Sequence, residues 1–422
     1  MIFGRLCLSS AVFTLIGALF LGLVSGSEAR GGSGNGYVPG EILVKYNSVV
    51  PSTSSRSGVL SGRFVSVRTF SHVGVDHVRL PAAVTVEEAL QSYADDPDVA
   101  YVEPNYLRYA ASVPNDTSFT SLWGLDNTGQ EVYGTSGSAD ADMDVPEAWD
   151  VQTGHAGIVV AVLDTGADWD HEDLAGNIWA NGDEPANGVD SDGNGYVDDV
   201  RGWDFVNDDN DPDDDNVGNG SYHGTHVAGI IGAEGNNGTG VVGVNWTVSI
   251  MVLKTLGAGG SGTLADEIAA IDYAIANGAD IINASFSGDQ FSQAEYDAVA
   301  DARAEGILFV AAAANGGDDN SGPGWNNDGA GQAIYPGGYD LDNIIAVAAT
   351  DQEDLLAGFS NYGATAVDVT APGVNIYSTK PQPGDAYQYK SGTSMATPYV
   401  SGLAALVLAQ NGGFTYAQLK TR

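Results

Sequence analysis

The sequence predicts an α/β protein, a doubly wound and mostly parallel sheet preceded by a small α+β domain. Two observations carry this. Over residues 115–422, continuous apolar runs alternate with stretches of helical spacing, the pattern of strands buried on both faces between helices. Over residues 37–111, one helical stretch lies among short strand-like segments, the order of an open-faced, ferredoxin-like sandwich.

Composition narrows the function. The 422 residues are enough for two or three domains with a large core. Charge is lopsided, with 15 Lys+Arg against 55 Asp+Glu. Eight of the basic residues and nine of the acids precede residue 114; seven basic residues and 46 acids follow it. So acidic a surface argues against nucleic acid or anionic membrane as partner. It fits solubility in salty surroundings, or loading with divalent cations.

Residues 1–29 have the pattern of a secretory signal: Arg5, the apolar stretch Leu6–Val24 and a small-residue site at Ser27-Glu28-Ala29. The apolar stretch is long enough for an uncleaved anchor to be the alternative, but no other stretch could span a bilayer, and a secreted protein without stable membrane insertion is expected. Cys7, the only cysteine, leaves with the signal. Without disulfides the mature chain needs other staples, and calcium is the natural one. A Gly/Ser linker spans 30–36. Glu41–Tyr46 then alternates as a strand, and Phe64–Leu80 holds one or two more. Thr85–Ala94 has helical spacing, and Val99–Val102 leads into Glu103-Pro104-Asn105-Tyr106. His72 and His77 have no evident partners and read as surface or packing residues.

After Ser112-Val113-Pro114 the apolar runs begin. Ile158–Leu163 is a buried parallel strand ending at Asp164-Thr165-Gly166. Ser249–Leu253, Ile281–Ala284, Ile307–Ala313 and Ile344–Ala348 are four more, with helices over His226–Gly232, Ala265–Asn277 and Ala294–Glu305 between them. Asp164 and Asn315 each follow a strand and face the same rim, where such sheets build their sites. Near the end, Ser391-Gly392-Thr393-Ser394-Met395-Ala396-Thr397-Pro398 opens a helix continuing through Leu403–Ala409. Pro398 falls in or near its first turn. Read alone, Ser394 is equally an N-cap or a nucleophile at the positive end of a helix.

His223-Gly224-Thr225-His226 supplies what a nucleophile would need. A serine hydroxyl is weak until a neutral imidazole takes its proton. A buried carboxylate holds that imidazole in one tautomer and stabilises its charged form. Asn315 would offer its amide to the oxyanion beside the Ser394 N–H.

These three motifs, in the order Asp, His, Ser, resemble those of the subtilisin-like serine proteases, or subtilases. The resemblance covers residues from about 120 to 422, and residues 37–111 resemble the family's inhibitory propeptide. It makes Asp164, His223 and Ser394 the triad and leaves His226 a structural residue. It implies substrate pairing along Ser285, Phe286 and Ser287, where Ser287 replaces the usual glycine, and a specificity-pocket floor at Ile334. A branched side chain there would favour modest apolar groups over large aromatics. The propeptide would act as an intramolecular inhibitor, removed by a cut within Arg108–Pro114. Polypeptide substrates and a monomeric enzyme follow.

Calcium enters twice. Asp190, Asp192, Asn194, Asp198 and Asp199 sit in a stretch that matches the start of an EF-hand loop, but Arg201 occupies the place of the closing glutamate, leaving a shortened calcium loop, with a merely acidic surface loop as the alternative. Asp208–Asp215 is denser in charge and reads as a loose ion binder or a solvated run. The resemblance adds a second site at Asp173 and Asn237 with carbonyls of Gly235–Val241, joined by Asp116. The chain stops at Thr415–Arg422 as a further helix starts, so a truncated C-terminus is expected. Two rivals are a non-catalytic calcium-dependent binding protein and an esterase. The first has no need of the four rim residues together. The second needs a Gly-x-Ser-x-Gly elbow that Gly392–Ala396 lacks.

Overall fold

The computed structural model describes residues 37–47, 65–94, 96–106, 113–214, 222–316, 322–382 and 384–421. The expected signal and linker, residues 108–112 of the expected cut region, and Asp215 lie outside them. Two compact units divide the chain, meeting between residues 110 and 111.

The first unit runs β1 (Tyr37–Tyr46), β2 (Val65–Phe70), β3 (Val75–Arg79), α1 (Val86–Ala94) and β4 (Val99–Tyr106). Its antiparallel sheet has the order β2-β3-β1-β4, which is that of a ferredoxin-like sandwich. Ile42 and Val44, two apart on β1, turn to one face and pack with Val78, Val86 and Ala89. His77 corrects the sequence reading, for it has a partner. Its Nε2 lies 2.7 Å from Glu41 Oε2, and Glu41 also accepts from Asn105 Nδ2 at 2.9 Å.

The second unit opens with a small hairpin, β5 (Glu131–Val132) and β6 (Thr135–Ser136), and the short helix α2 (Val145–Trp149). There follow β7 (Gly154–Asp164), β8 (Gly202–Asp204), α3 (His223–Gly232), β9 (Thr247–Lys254), α4 (Leu264–Ala276) and β10 (Ile281–Ala284). The chain continues through α5 (Gln293–Ala304), β11 (Leu308–Ala312), β12 (Ile344–Thr350), β13 (Val369–Pro372), the hairpin β14 (Ile376–Thr379) and β15 (Tyr387–Lys390), α6 (Thr393–Gln410) and α7 (Tyr416–Lys420).

Seven strands form one parallel sheet in the order β13-β12-β11-β10-β7-β9-β8. β7, an interior strand of this sheet, explains the apolar run Ile158–Leu163. Val160 and Val162 face a core shared with α3 and α6, whereas Ala161 and Leu163 face a second core shared with α4 and α5. Val160–Asp164 are all buried and Ile158 and Val159 half-buried, so no polar residue interrupts the run before Asp164. After β7 the chain fills one side of the sheet with β8 and β9, then crosses to start the other at β10. β7 is thus a topological switch point, and Asp164 is its last residue.

Candidate active site

Asp164 is wholly buried, and both its oxygens reach His223 Nδ1, at 2.7 and 2.9 Å. The imidazole is the first residue of α3, which follows Tyr222 in a left-handed conformation. The helix start comes extremely close to the strand end. A Cβ on Gly224 would lie 2.1 Å from Gly166 O and 2.9 Å from Asp164 Cβ, so only glycine fits there. Thr165 closes the joint, its Oγ1 accepting from Gly224 N at 2.9 Å.

His226, three residues on, has a different character. It is completely buried, and its Nε2–H donates to the carbonyls of Ile376 and Gln388, both at 3.1 Å. Burial pushes its pKa down to about 3, so it stays neutral. Two carbonyl acceptors demand a proton on Nε2, leaving that nitrogen unable to act as a base.

Ser394 is the second residue of α6, at the positive end of an 18-residue helix. Pro398 lies inside this helix rather than in its first turn, one turn after Ser394. A proline has no N–H to give the carbonyl four residues back, so Ser394 O would be orphaned. Ser285 Oγ fills the gap by donating to it at 3.0 Å. Ser285 in turn accepts from Asn283 Nδ2 at 3.0 Å, and Asn283 Oδ1 accepts from Ser401 Oγ at 2.8 Å. This polar thread ties α6 to β10. Neither Asn283 nor Ser401 was legible as a site residue in the sequence.

Asn315 sits at the same helix start. Its Oδ1 accepts from Thr393 N at 3.0 Å and Thr393 Oγ1 at 3.3 Å, which leaves the Nδ2 hydrogens for a ligand. Among the described residues no hydrogen bond joins Ser394 to His223. Such contacts commonly tighten only when substrate is bound.

Past Ala284 the chain leaves the sheet, and pairing resumes only where Gly288 exchanges two 2.8 Å hydrogen bonds with Tyr335. Ser285 is buried, Phe286 half-buried and Ser287 exposed. No backbone hydrogen bond engages these three among the described residues, so an unpaired edge remains. Ile334 is buried just before Tyr335.

The acidic loop is ordered by its own backbone. Asp190 accepts from Gly193 N and Gly195 N, and Asp198 from Asn187 N and Gly188 N. Asp192 and Asp199 instead converge with Glu184, an acid the sequence reading missed because it lies outside the motif, with ligand atoms within 4.8 Å of one another. Asn194 Nδ2 bridges Asp192 and Asp199. Burial raises the Asp199 pKa, and Tyr273 OH, 2.5 Å from its Oδ2, opposes this. Tyr273 belongs to an aromatic box with Tyr196, Trp203 and Phe205, ring centroids 5.0–6.0 Å apart.

Elsewhere, the 235–241 loop gathers Asp116, Asp173 and Asn237. Asn236 N donates to Asp116 Oδ2, while Asn237 Nδ2 and Val241 N donate to Asp173. Asp208–Asp211 are exposed as expected, but Asp214 is buried, so the reading of that run as loosely bound or solvated is corrected there. Among the described residues no helix is long and apolar enough to cross a membrane.

A parallel sheet with a wholly buried carboxylate paired to a part-exposed imidazole at its carboxyl edge, and a serine near the start of a long helix, is the arrangement of a subtilisin-like α/β protein. The family model described as "Subtilase family" matches residues 155–422, and that described as "Fervidolysin N-terminal prodomain" matches 25–105. The chain therefore belongs to the subtilase family and is a subtilisin-like serine endopeptidase carrying a prodomain. It is similar to the thermophilic serine proteinase of Bacillus sp. (strain AK1), 38% identical over 89% of this chain and 79% of that protein. It is also similar to thermitase of Thermoactinomyces vulgaris, 40% identical over 70% of this chain and 86% of that protein. Among solved structures, a protease from Pseudoalteromonas arctica PAMC 21717 matches with TM-score 0.57 and 31% identity, over 74% of this chain and 91% of that one.

Proposed function

We propose that the chain hydrolyses peptide bonds through an acyl-enzyme on Ser394, with His223 as general base, Asp164 as its orienter and Asn315 as oxyanion donor. The observation that carries the reading is the Asp164–His223 pair. A wholly buried carboxylate grips Nδ1 with both oxygens, which leaves Nε2 of the part-exposed ring as the nitrogen able to take a proton. His223 withdraws the Ser394 proton as Oγ attacks the scissile carbonyl, then returns it to the leaving amine. Asn315 Nδ2 and the Ser394 N–H receive the developing oxyanion. Substrate lies as an added strand on the free edge Ser285–Ser287, with Ile334 shaping the pocket for its side chain.

Calcium is a structural partner in this reading. Asp116 Oδ1 is buried and meets no hydrogen-bond donor among the described residues, which fits a cation held with Asp173, Asn237 and nearby carbonyls. A second ion would be held by Glu184, Asp192 and Asp199, with Asp190, Asn194 and Asp198 shaping the loop. Calcium would supply charge neutralisation and loop order, and no chemical step passes through it. The leader-like residues 1–29 support secretion, and the prodomain supports intramolecular inhibition until it is cut away.

The test is a fluorophosphonate serine probe on matured protein with calcium, beside a Ser394→Ala variant. Labelling of the parent alone, with casein cleavage that falls on chelation, is expected. An unlabelled, well-folded and propeptide-free parent would overturn the triad and favour a non-catalytic calcium-binding role.

A further inference from the structure

Behind the proposed triad lies a second carboxylate that the mechanism does not use. Asp214 is 3% exposed and accepts three hydrogen bonds. Thr165 Oγ1 donates to its Oδ1 at 3.0 Å; Thr225 N and Thr225 Oγ1 donate to its Oδ2 at 3.1 and 2.8 Å. Each threonine hydroxyl has one proton, and Asp214 takes both. Their lone pairs are thereby turned the other way: Thr165 Oγ1 accepts from Gly224 N, and Thr225 Oγ1 accepts from Asp168 N at 3.0 Å.

The consequences fall on the two residues that matter. Thr165 follows Asp164, and its N–H donates to Asp164 Oδ1 at 2.7 Å. Gly224 and Thr225 are the second and third residues of α3, whose first is His223. Tyr222 provides no side-chain cap for this helix, so orphan N–H groups of its first turn are satisfied by Thr165 and Asp214. One carboxylate thus closes both ends of the joint between the strand end and the helix start.

We infer that Asp214 is a positioning residue for hydrolysis, locking Asp164 and His223 into register through Thr165 and Thr225. This rests on the triad reading above. The charged groups around it are Asp164 on β7, Asp213 in its own loop, Lys254 on β9, whose Nζ donates to Thr165 O and Asp213 O, Lys390 on β15, and His223 and His226 on α3. Burial pushes Asp214 up to about 6 against the pull of the Thr225 hydrogen bonds, with Asp164 pushing the same way as burial. Burial lowers the Lys390 pKa, against the opposing pull of Asp214 and Asp164.

The experiment uses full-length precursor, matured, comparing the parent with Asp214→Asn, Asp214→Ala, Thr165→Val and Thr165→Ser. Each is followed by fluorophosphonate labelling, thermal melting, and kcat and KM on a peptide substrate across pH. Asp214→Asn is expected to keep KM within about twofold and lose about 10–100-fold in kcat, the scale of a misplaced catalytic group. Asp214→Ala should lose more, Thr165→Val should lose kcat at little-changed KM, and Thr165→Ser should restore kcat. If the Asp214 variants fail to fold, the Thr165 pair decides by its loss and rescue of kcat. Parent-like kcat in Asp214→Asn, or Thr165→Val equal to the parent, would overturn the inference. A parent that takes no label fails the triad reading instead.

Discussion

The proposed role of Asn315 rests on what its partners leave free. With Oδ1 held by Thr393, the amide cannot rotate its oxygen toward a developing negative charge. Asn315→Ala should therefore lower kcat about 10²–10³-fold with little change in KM, as steady-state kinetics on a peptide ester would show. A different residue limits stability. Glu267 on α4 is buried against Glu295 on α5, where Tyr339 OH also bonds Glu295 at 2.6 Å, and its Oε1 has no hydrogen-bond partner among the described residues. Burial and the Glu295 carboxylate push Glu267 up to about 9. A carboxyl that keeps its proton in the folded chain but loses it unfolded near pH 4 removes stability as pH rises between those values. Glu267→Gln should accordingly gain on the parent with pH over that window, by at most about 1.4 kcal/mol per unit. Melting temperatures at pH 5 and pH 9 decide it, and equal gaps at both would sink the idea.

Elements meet in this protein by backbone approach as much as by side-chain packing. Where α3 abuts the end of β7, Gly224→Ala would drive a methyl into Gly166 O. The helix start and strand end must separate, and loss of probe labelling is expected even if circular dichroism still reports a folded chain. Parent-like labelling would show that the joint tolerates more than its geometry allows. The elements themselves were largely legible. Apolar runs marked β7, β9, β10, β11 and β12 because each is buried on both faces, and motif order picked out Asp164, His223 and Ser394. Two edge strands escaped notice. β8 is only three residues, and β13 carries no continuous apolar run before Pro372. Asp214 escaped too, since a buried acid within an acidic run looks like its solvated neighbours until the hydroxyls of Thr165 and Thr225 are seen to converge on it. Glu184 was hidden likewise, by distance from the loop it completes.

At the scale of the whole molecule, seven basic residues face 46 acids beyond residue 114. Self-repulsion of that size weakens a compact state and is screened by salt. The melting temperature should climb between 0.05 and 1 M NaCl, and a flat or falling curve would show that local pairing already cancels the excess. Divalent ions act at fewer points and more strongly. A cation at 100 times its dissociation constant stabilises by about 2.7 kcal/mol, so EDTA should lower the melting temperature by several degrees. Asp199→Asn should blunt that response, whereas an unchanged drop would place the effect elsewhere. The aromatic box beside Asp199 makes one further use of this loop. Trp203 stands edge-on to Tyr196, and Tyr273 joins that box to the Asp199 carboxylate. Trp203 is one of seven tryptophans, so its share of the indole emission, read as the difference from a Trp203→Phe variant, is the optical signal expected to respond when calcium loads this loop.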